Sequence, residues 1–191
     1  MFKESITVEE LVDLPLRWFE GEIVVVDNER TLRQAVGALA GEPVIGFDTE
    51  TKPAFKKGVF NKVALLQLST KEKAFLIRTN LIGLPKEICE ILANPNIIKS
   101  GVAIRDDIKG LQVLRKFTPG GFVELQDSAQ ELGIQNFSLK KLTAIACGFR
   151  ISKGQQLTNW EADELTIKQQ RYAATDAWTS LEIYEHFISQ G

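Results

Sequence analysis

Two acidic side chains follow directly on an apolar run in the stretch VIGFDTET, residues 44–51. The run is short and contains β-branched and aromatic residues, which predicts a buried β-strand and not a helix. Asp48 and Glu50 are two residues apart, so in a strand both carboxylates point to the same face. Such neighbours repel each other unless a positive charge lies between them, and their oxygens are ligands that Mg²⁺ or Mn²⁺ prefers. A solvated strand end is the alternative, which this motif alone leaves open.

A second pair of acids stands at the start of a predicted helix, in the stretch GVAIRDDIKGLQVL at residues 101–114. A helical wheel places Asp107 within the apolar arc of this helix and Asp106 near its opposite side. An acid on a core-facing arc is costly unless something compensates its charge, whereas an exposed acid at a helix N-terminus is favourable. Both acids could be ordinary N-terminal residues, but the wheel favours Asp107 as the candidate for a buried site.

A third motif, YAATD, lies in the last and longest predicted helix. Tyr172 and Asp176 are four residues apart and therefore share one helical face. The helix is apolar around most of its circumference, so a charge within it is costly unless it is paired or bound to a metal. A partly exposed Asp beside a core Tyr is the alternative for this motif alone.

The elements that must position these motifs alternate along the chain. Residues 1–21 form an N-terminal extension with a short helix, which has a capping-box start at Thr7 and Glu10 and is ended by Pro15. Strands mixed with helices predict an α/β layered domain with helices on both faces of a sheet. The predicted strands are EIVVVD, VIGFDTET, KVALLQLST and KAFLIR, the latter two forming a hairpin, then IIKSGV and a short strand in FVELQDSAQEL.

Composition limits the classes of function. The chain has 191 residues, enough for one domain with a sizeable core, and its formal net charge of −2 argues against binding nucleic acid by bulk charge. A local basic patch remains compatible with that balance.

Cys89 and Cys147 stand in apolar contexts that predict free, buried thiols in a reducing compartment. No run can span a bilayer and the N-terminus has no signal-peptide pattern, so we expect a cytoplasmic protein that does not bind membranes.

Together the motifs FDTET, GVAIRDDIKGL and YAATD, with VALLQLS and SLKKLT between them, resemble the DEDD superfamily of 3′–5′ exonucleases. The histidine subtype carries a His five residues before the last acid, where this chain has Arg171, and the only His is His186. The chain therefore resembles the tyrosine subtype, DEDDy, and is similar to the exonuclease domain of the Werner syndrome helicase and to ribonuclease D-like proteins. The likeness covers roughly residues 22–188.

The resemblance implies a ribonuclease H-like fold, with a mixed five-stranded sheet and helices on both faces, in a domain at residues 22–191. It implies removal of nucleotides from nucleic-acid 3′ ends by two-metal-ion hydrolysis, with DNA as the favoured substrate. An RNA-trimming exoribonuclease is the alternative. An inactive binding module of the same fold is less expected, because all five catalytic positions are filled. The protein would be a monomer, and any helicase or polymerase would act as a separate partner.

The resemblance also implies roles for single residues. Four carboxylates would hold two divalent cations, Mg²⁺ or Mn²⁺, with Asp48 bridging both. Glu50 and Asp176 would complete the first metal site and Asp107 would hold the second. Tyr172 would orient the attacking water.

The substrate would be met by the loop after the first motif and by basic residues elsewhere. Aromatic side chains can stack on bases and lysines can meet phosphates, although the aromatics could instead pack the loop onto the core while the lysines are solvated. The candidates are Thr49, Lys52, Phe55, Lys56, Lys57, Phe60 and Lys62, with Arg105, Lys140, Lys141 and Lys153 as further phosphate ligands and Trp160 as a packing residue.

Overall fold

The structure, a computed structural model, describes residues 2–56, 58 and 60–189. Its strands are β1 (Glu22–Val26), β2 (Val44–Thr51), β3 (Val63–Ser69), β4 (Lys73–Ile77), β5 (Ile98–Gly101) and β6 (Phe122–Glu124). Its helices are α1 (Val8–Asp13), α2 (Glu29–Leu39), α3 (Thr79–Ile82), α4 (Lys86–Ala93), α5 (Arg105–Leu114), α6 (Leu125–Glu131), α7 (Leu139–Cys147) and α8 (Ile167–Ile188).

The strands form one mixed sheet in the order β1-β4-β3-β2-β5-β6. Strand β3 runs antiparallel to both of its neighbours, and all other pairs are parallel. The α/β class and the β3–β4 hairpin are thereby confirmed. The expected number of five strands is wrong, because the described residues form six: the three residues of β6 pair with β5 as a short edge strand before the chain turns into α6.

Different helices cover the two faces of the sheet, as predicted. On one face, Phe47 of β2 packs in a cluster with Leu39 of α2 and Leu111 of α5. On the other face, Leu76 of β4 packs in a cluster with Ala173 of α8. The central strand β2 thus lies between two layers of helices, which bury Ile45 and Phe47 and leave Asp48 and Glu50 half-buried.

The N-terminal segment packs against this second layer. Helix α1 begins with the predicted capping box of Thr7 and Glu10 and ends before Pro15. Phe19 is buried, and its backbone N–H donates to the hydroxyl of Thr175 on α8 at 3.0 Å. The end of the segment is therefore held against the helix that carries the third motif.

Two further observations concern the cysteines and the membrane. Both cysteines are free; Cys89 is buried as predicted, whereas Cys147 is only half-buried, at the C-terminal end of α7. Within the described ranges, no helix combines the length and the apolar character that crossing a bilayer requires. The cytoplasmic location stays a prediction.

Candidate active site

Strand β2 carries two of the predicted acids on the face that α8 covers. Asp48 pairs in register with Gln67 of β3, and the register shifts just after Glu50, so regular pairing is interrupted beside the acids. Gly46 precedes Asp48 by two residues and faces the same side. A Cβ at Gly46 would lie 1.8 Å from the carbonyl oxygen of Ala177. The missing side chain lets α8 lie directly on β2, and this close approach brings the third motif to the acids.

Helix α8 adds Asp176 to the pair. Asp176 is only 5% exposed, and one carboxylate oxygen from each of Asp48, Glu50 and Asp176 lies within 4.8 Å of the others. Tyr172 lies one turn before Asp176, and its ring centroid is 6.0 Å from that of the fully buried Trp160. Trp160 is therefore a packing residue, as expected, and it supports the Tyr172 ring beside the acids.

Asp107 reaches the same strand from the first turn of α5. The Glu124 carboxylate accepts hydrogen bonds from the backbone N–H groups of Ala103 and Ile104, both at 2.8 Å, and so holds the turn before α5. Ala103 has a φ of 60°, a strained conformation for a residue with a side chain. Glu124 stabilises this turn, and the turn sets the position of Asp107. The Thr49 hydroxyl, between the two acids of β2, donates to Asp107.

The acids on β2 and α8 destabilise one another's charged forms. Burial, followed by the charges of Asp176 and Asp107, raises the pKa of Asp48 well above its usual value. Burial and the same neighbouring acids, with Asp48 first, raise the pKa of Glu50 to about 10. Burial also raises the pKa of Asp107. Holding all of these groups ionised at neutral pH therefore requires positive charge inside the cluster.

Tyr172 and Lys153 also act on the charge of the acidic cluster, through Asp176. Burial raises the pKa of Asp176 to about 7, while an interaction with Tyr172 and the positive charge of Lys153 oppose the rise. Burial and then the charge of Asp176 raise the pKa of Tyr172, so that its hydroxyl keeps its proton at neutral pH. Within the part of the chain that the structure describes, no Lys or Arg forms an ion pair with Asp48, Glu50 or Asp176.

This donor set fits a divalent metal. The converging oxygens are hard ligands with no Cys or His among them, which is the composition that suits Mg²⁺ or Mn²⁺. The repulsion between the carboxylates that raises their pKa values also favours metal binding, because a cation at the centre would cancel that repulsion.

A cavity of about 260 Å³ opens beside the acids. Asp48, Glu50, Tyr172 and Asp176 line it together with Thr49, one of the predicted substrate-binding residues. Lys140 and Lys153, two of the further phosphate candidates, also line it. Sequence reasoning missed the remaining polar lining, because no local pattern marks these side chains. Ser152 and Gln156 lie in the segment between α7 and α8, Ser138 directly precedes α7, and Ser180 lies within α8.

Comparison with known proteins agrees with this arrangement. A family model described as 3′–5′ exonuclease matches residues 23–190. The chain belongs to the 3′–5′ exonuclease family. Over 161 residues, 80% of the chain, it is 35% identical to the mouse bifunctional 3′–5′ exonuclease/ATP-dependent helicase WRN, and the match spans 11% of that protein. The family resemblance drawn from the three motifs is therefore confirmed.

Solved structures of other proteins superpose closely on this fold. The EXO domain of Aedes aegypti Nibbler superposes with a TM-score of 0.81 at 25% identity, covering 92% of this chain and 91% of that one. Escherichia coli RNase D, at 24% identity, superposes with a TM-score of 0.76 over 87% of this chain and 44% of that one. The second likeness supports the fold alone.

The described residues of the predicted substrate-binding loop that follow Glu50 do not line the cavity. Phe55 and Phe60 are 86% and 94% exposed, so the idea that they pack the loop onto the core is wrong. Lys56 and Lys62 are also exposed and do not line the cavity, and Lys57 lies outside the described residues. Two other basic candidates are held by acids: Lys52 pairs with Glu161 at 3.3 Å, and Arg105 with Asp127 at 2.8 Å.

Proposed function

We propose that the protein is a metal-dependent 3′–5′ exonuclease that removes mononucleotides from nucleic-acid 3′ ends. The observation that carries this proposal is the convergence of three carboxylates from β2 and α8 beside Tyr172, at a cavity of about 260 Å³ that all four residues line. Residues 22–191 would form the nuclease domain and residues 1–21 an extension, with the protein acting as a monomer.

Two divalent cations, Mg²⁺ or Mn²⁺, would be held by the acids. Asp48, Glu50 and Asp176 would hold the first, and Asp107 would hold the second with Asp48. When bound, the cations supply an activated water and stabilise the charge on the leaving 3′ oxygen. The Thr49 hydroxyl fixes the Asp107 carboxylate, which keeps that ligand in place.

Tyr172 would position the nucleophile. Its phenol stays protonated, because burial and Asp176 raise its pKa, so it can hydrogen-bond the attacking water without competing as a base. The water attacks phosphorus, the 3′ oxygen of the preceding nucleotide departs with a proton, and a 5′-mononucleotide is released. Lys140 and Lys153 line the same cavity and can meet the phosphate.

DNA is the substrate that the motif resemblance favours, and RNA trimming is the second candidate. The hydroxyl and amide side chains of Ser138, Ser152 and Gln156 line the cavity, and groups of this kind can hydrogen-bond a ribose 2′-hydroxyl. A competition digest of DNA and RNA strands of matched sequence separates the two candidates. Faster loss of the DNA strand supports the first, and faster loss of the RNA strand supports the second.

A 5′-labelled single strand with a free 3′ hydroxyl tests the activity itself. We expect the labelled strand to shorten progressively, to stop shortening when the metal is chelated, and to resume when Mg²⁺ or Mn²⁺ is restored. Release of the label as a mononucleotide at the outset would contradict the proposed polarity. Unimpaired digestion in excess chelator would contradict the metal dependence.

A further inference from the structure

A second pocket adjoins the active site on the far side of Tyr172. It has a volume of about 210 Å³ and is formed where the N-terminal segment meets the first turns of α8. We call it the Trp18 pocket and define it by four of the side chains that line it: Arg17, Trp18, Lys168 and Arg171. None of them belongs to the catalytic set described above.

The charge of the Trp18 pocket is one-sided. Arg17, Lys168 and Arg171 line it, and the lining residues that the structure describes include no acid. The chain as a whole has a formal net charge of −2, so three cations gathered at one place are a local feature. Such a patch attracts a polyanion even when the protein as a whole does not.

The pocket also presents an aromatic surface. Trp18 is 41% exposed, and the guanidinium of Arg171 lies 5.4 Å from the centre of its ring. The next residue, Phe19, is buried and hydrogen-bonded through its backbone to Thr175, so the chain that carries Trp18 is fixed to α8. A rigid aromatic ring beside arginines suits a stacked base flanked by phosphates, and fixing it beforehand lowers the entropic cost of binding.

The pocket is continuous with the catalytic cavity. Tyr172 and Ser152 line both spaces, the acids lying on one side of Tyr172 and the Trp18 pocket on the other. On the catalytic side Lys140 and Lys153 extend the row of cations. A strand whose scissile phosphate lies at the acids can therefore continue past Tyr172 along basic side chains.

We propose that the Trp18 pocket binds a nucleotide of the substrate strand next to the one that is cleaved, by stacking a base on Trp18 and pairing phosphates with Arg171 and Lys168. This inference rests on the proposed function, since it names where the same substrate is held. It assigns the N-terminal segment a part in substrate binding that none of the three motifs contains.

Binding of an unpaired strand of about 12 nucleotides, with uncleavable phosphorothioate linkages at its 3′ end, tests the pocket without relying on catalysis. The double variant Lys168→Gln/Arg171→Gln should bind about 10-fold more weakly, and the slope of log affinity against log salt should fall by about 0.7 for each phosphate that is no longer neutralised. Trp18→Ala should weaken binding about 10-fold, and Trp18→Phe should recover most of the affinity because it restores a stacking ring.

Arg30→Gln is the matched control, because Arg30 is exposed on α2, which packs against the opposite face of the sheet. It should bind as the wild type does, and thermal unfolding of every variant checks that the fold is retained. Wild-type affinity in folded Trp18→Ala and Lys168→Gln/Arg171→Gln proteins would overturn the inference, as would an equally weakened Arg30→Gln. Failure of the wild type to digest a cleavable strand would instead overturn the proposed function.

Discussion

Two sites of charge lie on opposite faces of the sheet, one at Lys99 of β5 and the other at the acids of β2 and α8, and their charges are balanced in opposite ways. Lys99 of β5 is fully buried on the face that α4 and α5 cover. Its ammonium donates to three backbone carbonyls, those of Ile91 at 3.1 Å, Asn94 at 2.7 Å and Ile97 at 2.6 Å. The fold itself supplies every partner, and Lys99 closes the C-terminal end of α4.

The acids on the other face have no ion-pair partner among the described residues, although the backbone N–H of Thr49 donates to Asp48 at 2.8 Å. Asp48, Glu50 and Asp176 are brought together, and among the described residues the one positive charge that opposes their raised pKa values is that of Lys153, which acts on Asp176. A buried charge that the fold satisfies is part of the structure, whereas buried charges that the fold gathers and leaves unbalanced require something from solution. The comparison therefore separates a structural lysine from a functional site without reference to motifs.

The largest effect that the comparison predicts is loss of nuclease activity when Asp107, but not its neighbour Asp106, is substituted. Asp107→Asn should lower nuclease turnover by roughly 10³-fold or more, because it would remove one of the proposed metal ligands, a loss of several kcal/mol of transition-state stabilisation. Asp106→Asn should keep most of the activity, since Asp106 is exposed and pairs with Lys109 at 2.9 Å. Both variants are assayed on one 5′-labelled oligonucleotide. An active Asp107→Asn beside an inactive Asp106→Asn would reverse the assignment.

Tyr172 should give the next largest effect. Tyr172→Phe removes only the hydroxyl, so turnover should fall about 10²-fold while the affinity for a strand changes little. Single-turnover rates and strand affinity measured on the same protein separate the two quantities. Wild-type turnover in Tyr172→Phe would mean that the ring serves packing against Trp160 alone.

Stability should respond in opposite directions at the two sites. Asp176→Asn, measured with chelator at pH 8, should raise the free energy of unfolding by more than about 1 kcal/mol, because the pKa of Asp176 is raised to about 7 and its charge is fully unfavourable above that pH. Lys99→Met should lower it by about 2 kcal/mol, because three carbonyls lose a charged donor. The decrease is moderate, since the Ile91 and Asn94 carbonyls also accept backbone N–H groups.

Urea unfolding with and without Mg²⁺ extends this test. Saturating metal should stabilise the wild type by about 3 kcal/mol at roughly one hundred times its dissociation constant, and should stabilise Asp176→Asn much less. Equal stabilisation of both proteins would place the metal elsewhere. If Lys99→Met instead raises the free energy of unfolding, burying the Lys99 ammonium costs more free energy than its hydrogen bonds to the three carbonyls contribute.

The features of the site that lie within a single helix or strand could be predicted from the sequence. The spacing of Asp48 and Glu50, the shared face of Tyr172 and Asp176, and the capping box of α1 each depend on fewer than ten consecutive residues, and the structure has them all. The helical wheel also separates the half-buried Asp107 from the exposed Asp106. Patterns of this kind are predictable because strand and helix periods act within a single element.

The rest depends on contacts between distant segments. IIKSGV reads as a strand with an ordinary lysine, and nothing local indicates that Lys99 is enclosed by the end of α4. VALLQLS likewise conceals Gln67, which is fully buried opposite Asp48 and whose amide has no hydrogen-bond partner among the described residues. The meeting of Trp18 with Arg171 joins parts of the chain that only the folded structure brings together.

The smallest predicted effect is a pH dependence that belongs to Lys99 alone. Burial lowers its pKa to about 8 from an ordinary 10.5, and no charged group contributes to the shift. Between these two values the unfolded chain binds a proton that the folded protein has released, so the free energy of unfolding rises with pH across the window. The difference in that free energy between wild type and Lys99→Met should therefore grow by about 1 kcal/mol from pH 8 to pH 9. Other titrating groups are common to both proteins and cancel in the difference. Parallel stability curves would mean that Lys99 keeps its ordinary pKa in the folded protein, because the three carbonyls stabilise its ammonium as well as water does.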